Sequence, residues 1–216
     1  MESLLTVHKG FSLTWAKRFK NFMENHRHFI IHKPFGFLSQ FINNQSKRKN
    51  KKLLGELGDF PEKTMSIGRL DEHSEGLLLL TTDGKVSAIV RSKKVEKEYF
   101  AQVDGEITNK AIQQLQDGIE LGSGENKYNT LPCEARRLVP EPVFETRRKL
   151  RDQRHGPTSW VSITLREGKF RQVRKMSAAV GFPTLRLVRV RIDNIQLNDM
   201  QVGDVIEVKS FGITDS

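Results

Sequence analysis

The sequence holds one cysteine in 216 residues, Cys133, so no disulfide can form within the chain. That excludes a disulfide-stapled secreted scaffold and makes a reducing interior, the cytoplasm, the expected setting. The longest unbroken apolar run is four leucines, 77–80, against the roughly 20 residues of a bilayer-crossing helix. No membrane partner is expected. Paired Cys and His spacings of the structural zinc kind are missing. The nearest arrangement, His26-x-His28-x3-His32, reads as ordinary strand-flanking residues, so no metal is expected. Neither a GxxxxGKS or GxxxxGKT loop nor a GxGxxG after a strand is present, and Gly122-Ser123-Gly124 alone reads as a turn. A nucleotide cofactor therefore has no seat. Acidic residues are outnumbered, 26 Asp plus Glu against 36 Lys plus Arg, for a formal charge of +10. An excess of that size calls for an anionic partner, and nucleic acid fits it.

The length suits one domain or two small ones. Residues 1–27 interleave Leu4, Leu5, Val7, Phe11, Trp15, Phe19 and Phe22 with Lys9, Lys17, Arg18 and Lys20 without a capped helical period. They are expected to be a flexible extension, followed by a folded domain over 28–211 and a tail over 212–216. From residue 29 onward the pattern turns to short β-rich runs at 29–32, 65–67, 77–81, 98–103, 160–165, 185–190 and 205–209. Helices are expected at 85–91, after Asp83-Gly84, and at 109–117, with Thr108 as N-cap and Gly118 as stop. A third is expected at 170–180, ending at Gly181-Phe182-Pro183. Successive strands without a regular intervening helix make this an α+β pattern and not a doubly wound parallel sheet.

The positive charge is unevenly spread. Residues 46–52 form a compact basic run, and residues 136–154 carry seven Lys or Arg against three acidic residues. Each reads either as a solvated loop or as a phosphate-contacting arm. The densest segment is 166–191, with Arg166, Lys169, Arg171, Arg174, Lys175, Arg186, Arg189 and Arg191 opposed only by Glu167. On a helix, Arg171, Arg174 and Lys175 share one face while Val173, Met176 and Val180 form the stripe that docks on a sheet. A helix start at Gly168-Lys169 would add backbone N–H groups for an anion. Arginines on the following strand, Arg186 and Arg189 among them, extend this into a concave polyanion site whose affinity should fall steeply with salt.

One carboxylate stands out. Asp71 lies in Gly68-Arg69-Leu70-Asp71, between the strands at 65–67 and 77–81. In such a place it is a nucleophile, a general base, or a turn aspartate capping nearby amides. Glu72 and Glu75 sit too close along the loop to face it as a glycosidase-like carboxyl pair.

The string Ser66-Ile-Gly-Arg-Leu-Asp-Glu-His-Ser-Glu-Gly-Leu-Leu-Leu-Leu-Thr-Thr-Asp-Gly84 resembles the signature motif of the RNA pseudouridine synthases, in their bacterial ribosomal RNA branch, the RsuA family. Three further blocks resemble it in the family's order: Ile31-His-Lys-Pro-Phe-Gly36, Lys97-Glu-Tyr-Phe-Ala-Gln-Val-Asp-Gly105 and Leu165-Arg-Glu-Gly-Lys-Phe-Arg-Gln-Val-Arg-Lys-Met176. Pro157-Thr-Ser-Trp160 and the segment 181–187 look most similar to the short E-type members that act on large-subunit ribosomal RNA. The likeness spans about residues 29–209. It implies the pseudouridine synthase fold, a mixed and mainly antiparallel sheet flanked by helices and loops around an RNA-binding cleft. It implies isomerisation of a flipped-out uridine in ribosomal RNA without a cofactor; a monomer is the default expectation. By the same resemblance Asp71 is the reactive carboxylate, Arg174 its guanidinium partner and Tyr99 the aromatic against the target base. Arg69 would occupy the vacated stack, and Lys33, Lys169, Arg171, Lys175, Arg186 and Arg189 would contact RNA. Two departures are visible. The 27 residues before the domain are too few for the S4-type domain of many relatives, and Asp193-Asn194 stands where a glycine is common.

Overall fold

In the computed structural model the described residues are 26–42, 50–145 and 155–214. In chain order the elements are β1 (His28–Lys33), β2 (Met65–Ser66), β3 (Glu75–Thr81), α1 (Gly84–Arg91), β4 (Lys97–Asp104), α2 (Asn109–Asp117), β5 (Glu120–Leu121), β6 (Tyr128–Asn129) and β7 (Glu134–Arg137). They continue with β8 (Thr158–Leu165), α3 (Gln172–Ala179), β9 (Thr184–Ile192), β10 (Ile195–Gln196) and β11 (Val205–Val208). The main sheet runs β11-β1-β3-β9-β4-β8-β7, with β2 added beside β3 and β10 beside β9. Its pairings are antiparallel except β3 with β9. The α+β class and the mixed, mainly antiparallel sheet are borne out.

That one parallel pairing divides the sheet into halves. It spans two registered pairs, Glu75 with Val188 and Gly76 with Arg189. At this seam the backbones touch: Gly76 has φ +101°, and a Cβ there would lie 2.3 Å from the Arg189 carbonyl oxygen. Only glycine fits.

β3 is buried along its whole length. Leu77 and Leu79 face one core, with Val90 of α1 and Val188 of β9, while Leu78 and Leu80 face another with Phe29 and Ile31 of β1. A strand covered on both faces reads as a continuous apolar run, which is why residues 77–80 show no alternation. A third core packs Ala101, Val161 and Ile163 of β4 and β8 under α2 and α3, through Leu115 and Met176.

Local capping follows the sequence. The Asp83 carboxylate accepts from Lys85 N at 2.7 Å and from Val86 N at 3.4 Å, and Thr108 Oγ1 accepts from Ala111 N at 3.2 Å. The third helix differs from expectation. It begins at Gln172, because Arg171 adopts a left-handed conformation with φ +53°. The amide of Lys169 is already donated to Gln172 Oε1 at 3.0 Å, so the expected anion-binding helix start at Gly168-Lys169 is corrected. Residues 1–25 of the expected flexible extension, 46–49 of the first basic run and 146–154 of the second lie outside the described residues.

Candidate active site

The loop between β2 and β3 carries Asp71, and main-chain contacts hold it in place. Ile67 and Leu70 are buried under it. Ser39 Oγ both accepts from Leu70 N at 3.0 Å and donates to Leu70 O at 2.8 Å, and Gly36 N donates to Glu72 O at 2.8 Å. From the end of β1, Lys33 Nζ donates to Pro34 O and Ser74 O at 2.8 Å each. Lys33 is fully buried, and burial pushes its amine down to about 7 against the opposing pull of Glu75, Asp71 and Glu72. The expectation that Lys33 contacts RNA is therefore corrected: its hydrogen bonds go to the carbonyls of Pro34, Glu72 and Ser74.

With the loop backbone satisfied, the Asp71 side chain does not cap the turn. The turn amide, Ser74 N, donates to Asp71 O at 3.0 Å instead. The carboxylate faces the other half of the sheet. Arg171 Nη1 donates to Asp71 Oδ2 at 3.5 Å, and Arg174 Nε lies 3.9 Å from the same oxygen. Arg174 is the more enclosed, 12% exposed at its side chain against 42% for Arg171. Its guanidinium also donates to His73 O at 2.7 Å, Ser74 Oγ at 3.3 Å and Thr184 O at 3.3 Å, tying α3 and β9 to the loop.

Tyr99, half-buried on β4, packs against the cores of both halves. Together with Asp71, Arg69, Lys169, Arg171 and Gln172 it lines a recess of about 70 Å³. Arg189 lies behind it: Nη1 donates to the Tyr99 hydroxyl at 3.5 Å and the guanidinium carbon is 5.9 Å from the ring centroid.

Two further expected RNA contacts are corrected. Arg189 is 5% exposed and donates Nε to Leu77 O at 2.7 Å across the seam; its Nη2 is buried without a hydrogen-bond partner. Arg186 is 3% exposed and closes a two-pronged ion pair on Glu75, at 3.1 and 2.8 Å. It also donates to Phe144 O and Glu145 O. Both sit on a central strand whose residues 186–189 are all buried, so their charge serves the interior. The histidines read as strand-flanking residues go the same way. His28 Nδ1 meets Thr81 Oγ1 at 2.9 Å and His32 Nδ1 meets Met200 O at 2.9 Å.

Arg69, Lys169 and Arg171, which line the recess, remain exposed, as does Lys175 on α3. The Lys169 ammonium sits 3.5 Å from the Tyr128 ring centroid, a cation–π contact that no local pattern announces because β6 is only two residues long. The Glu75–Arg186 pair is 111 residues apart in sequence and was equally hidden, as was Ser39 under the loop.

The Asp71 carboxylate thus lies beside an aromatic ring and two guanidinium groups, in a recess that Glu167 also lines. Several known proteins are similar to this chain. The family described as RNA pseudouridylate synthase matches residues 27–179. A protein of Xanthomonas campestris named ribosomal large subunit pseudouridine synthase E is 40% identical over 177 residues, covering 81% of this chain and 91% of that one. A protein of the same name from Vibrio parahaemolyticus is 37% identical over 191 residues, covering 87% of this chain and 76% of that one. A solved structure titled as a pseudouridylate synthase superposes with a TM-score of 0.66 at 26% identity, covering 86% of this chain and 71% of that one. The chain belongs to the RNA pseudouridylate synthase family.

Proposed function

We propose that this enzyme isomerises a uridine of large-subunit ribosomal RNA to pseudouridine, with Asp71 as the reactive carboxylate. The N1–C1′ bond breaks and a C5–C1′ bond forms, while a proton leaves C5 and one is gained at N1. No atom is added and no electron is transferred, so the balance calls for no cofactor. A uridine held in a helix is out of reach and must be extruded, which costs a few kcal/mol.

In this reading Asp71 acts at the ribose or the base, and Arg174, tied down by three further contacts, keeps the carboxylate aimed. Tyr99 offers its ring to the base and its hydroxyl to the moving proton. Arg171 lies across the recess. The enclosed 70 Å³ is far below the roughly 300 Å³ of ordinary ligand pockets, so Arg171 swings outward as the base enters and meets phosphate there. Lys169 and Lys175 hold the backbone and fix register without reading sequence. Arg69, exposed at the edge of the recess, fills the vacated stack. Large-subunit RNA as the target is supported by the names of the relatives; in this reading the enzyme works in the cytoplasm, as a monomer.

The observation that carries the reading is the Asp71 carboxylate facing two guanidinium groups beside Tyr99. The test is to map pseudouridines across total RNA from cells with and without the gene, then restore wild-type or Asp71→Asn protein. One large-subunit site should vanish, return with the wild type and stay absent with Asp71→Asn. A lost site in small-subunit or transfer RNA overturns the target, and restoration by Asp71→Asn overturns the aspartate.

A further inference from the structure

Phe170 is 74% exposed, whereas every other described Phe, Tyr and Trp is buried or half-buried. A scattered exposed apolar residue ordinarily needs no explanation; what distinguishes this one is its setting. Phe170 stands between Lys169 and Arg171, which both line the Asp71 recess, and the Lys175 ammonium lies 5.5 Å from its ring centroid. The ring joins none of the three hydrophobic cores. Its neighbours are already anchored elsewhere, Lys169 on the Tyr128 ring and Arg171 on Asp71. The fold leaves an aromatic face open to solvent at the edge of the site, ringed by cations.

We propose that Phe170 is a base-stacking site for an unpaired nucleotide flanking the uridine that enters the recess, an inference that rests on the synthase reading above. Extruding one nucleoside distorts the strand on either side of it even where Arg69 fills the vacated stack, and RNA-binding proteins take up splayed flanking bases on aromatic rings. Every base has a π-face, so the ring contributes affinity and register with little base preference, while Lys175 beside it meets the adjoining phosphate. Charge argues against an apolar protein partner at this spot: from 166 to 175 five basic residues face the single acid Glu167.

The test uses large-subunit ribosomal RNA from cells lacking the gene. Phe170→Leu keeps an apolar side chain and removes the ring; it should raise KM on the order of 10-fold with kcat unchanged. Phe170→Trp should keep the wild-type KM. Equal melting temperatures for all three proteins separate this from a folding defect. In parallel, large-subunit RNA transcribed with 5-iodouridine is irradiated in complex with Asp71→Asn protein, and the crosslink should map to Phe170. An unchanged KM in Phe170→Leu, or a crosslink map without Phe170, overturns the site. The crosslink needs no turnover, so a protein that stacks RNA on Phe170 but forms no pseudouridine would sink the synthase reading and leave this one standing.

Discussion

The half of the sheet built on β1 and β3 and the half built on β4, β8 and β9 handle charge in opposite ways. The first half buries Lys33, its hydrogens given to backbone carbonyls, and Glu75, and it turns the Asp71 carboxylate toward the second half. The second half does both things with arginine. Arg186 and Arg189 are sunk into the seam, where they grip Glu75 and Leu77 O of the first half. Arg171 and Arg174 stay at the recess and face Asp71. Burial therefore sorts charges by task. Those inside hold the halves in register, and those at the recess are matched across it.

The strongest challenge to that division is to unmake the seam. Arg186→Leu leaves Glu75 as an unpaired buried charge and should destabilise by about 3–5 kcal/mol in urea unfolding. The double change with Glu75→Leu should recover much of the loss. A double variant as unstable as Arg186→Leu alone would mean that the carbonyls of Phe144 and Glu145, and not the ion pair, need the guanidinium.

A second challenge separates the two recess arginines. Arg174→Met should lower kcat about 100-fold or more, as loss of an enclosed charge-facing donor does. Arg171→Met should chiefly raise KM, because an exposed ion pair contributes about 1 kcal/mol or less. Single-turnover rates at saturating RNA decide; equal falls in both would erase the distinction.

The smallest effect concerns Lys33. Unfolded, its amine keeps the proton to about 10.5, whereas in the folded chain burial brings it to about 7. Between those values the unfolded chain binds more protons, so stability rises with pH. From about pH 7 to about pH 9 the wild type should gain up to about 2 kcal/mol relative to Lys33→Met. Parallel pH profiles for the two proteins would show that the buried amine keeps its proton throughout.

Much of this was legible in the sequence where the information is local. The strands at 29–32, 77–81 and 98–103 and the caps at Asp83 and Thr108 depend on neighbours a few residues away, and they stand within a residue or two of expectation. The segment 166–191 was legible as basic but not as divided. Residues 186–189 of β9 are all buried, so no alternation of apolar and polar positions separates Arg186 and Arg189 from Arg171 and Arg174. What separates them is Glu75 and the β3 carbonyls, more than 100 residues upstream. Lys33 misled for the same reason, since a lysine beside a turn looks solvated until the loop it serves folds over it.

One consequence of the seam concerns synthesis. Asp71 and the arginines it faces are 100 and 103 positions apart, so the acid leaves the ribosome long before its counterparts exist. A product that ends anywhere from residue 71 to residue 170 carries the carboxylate and neither guanidinium. In a nascent chain the acid thus waits without either counterpart until about four-fifths of the protein has been made.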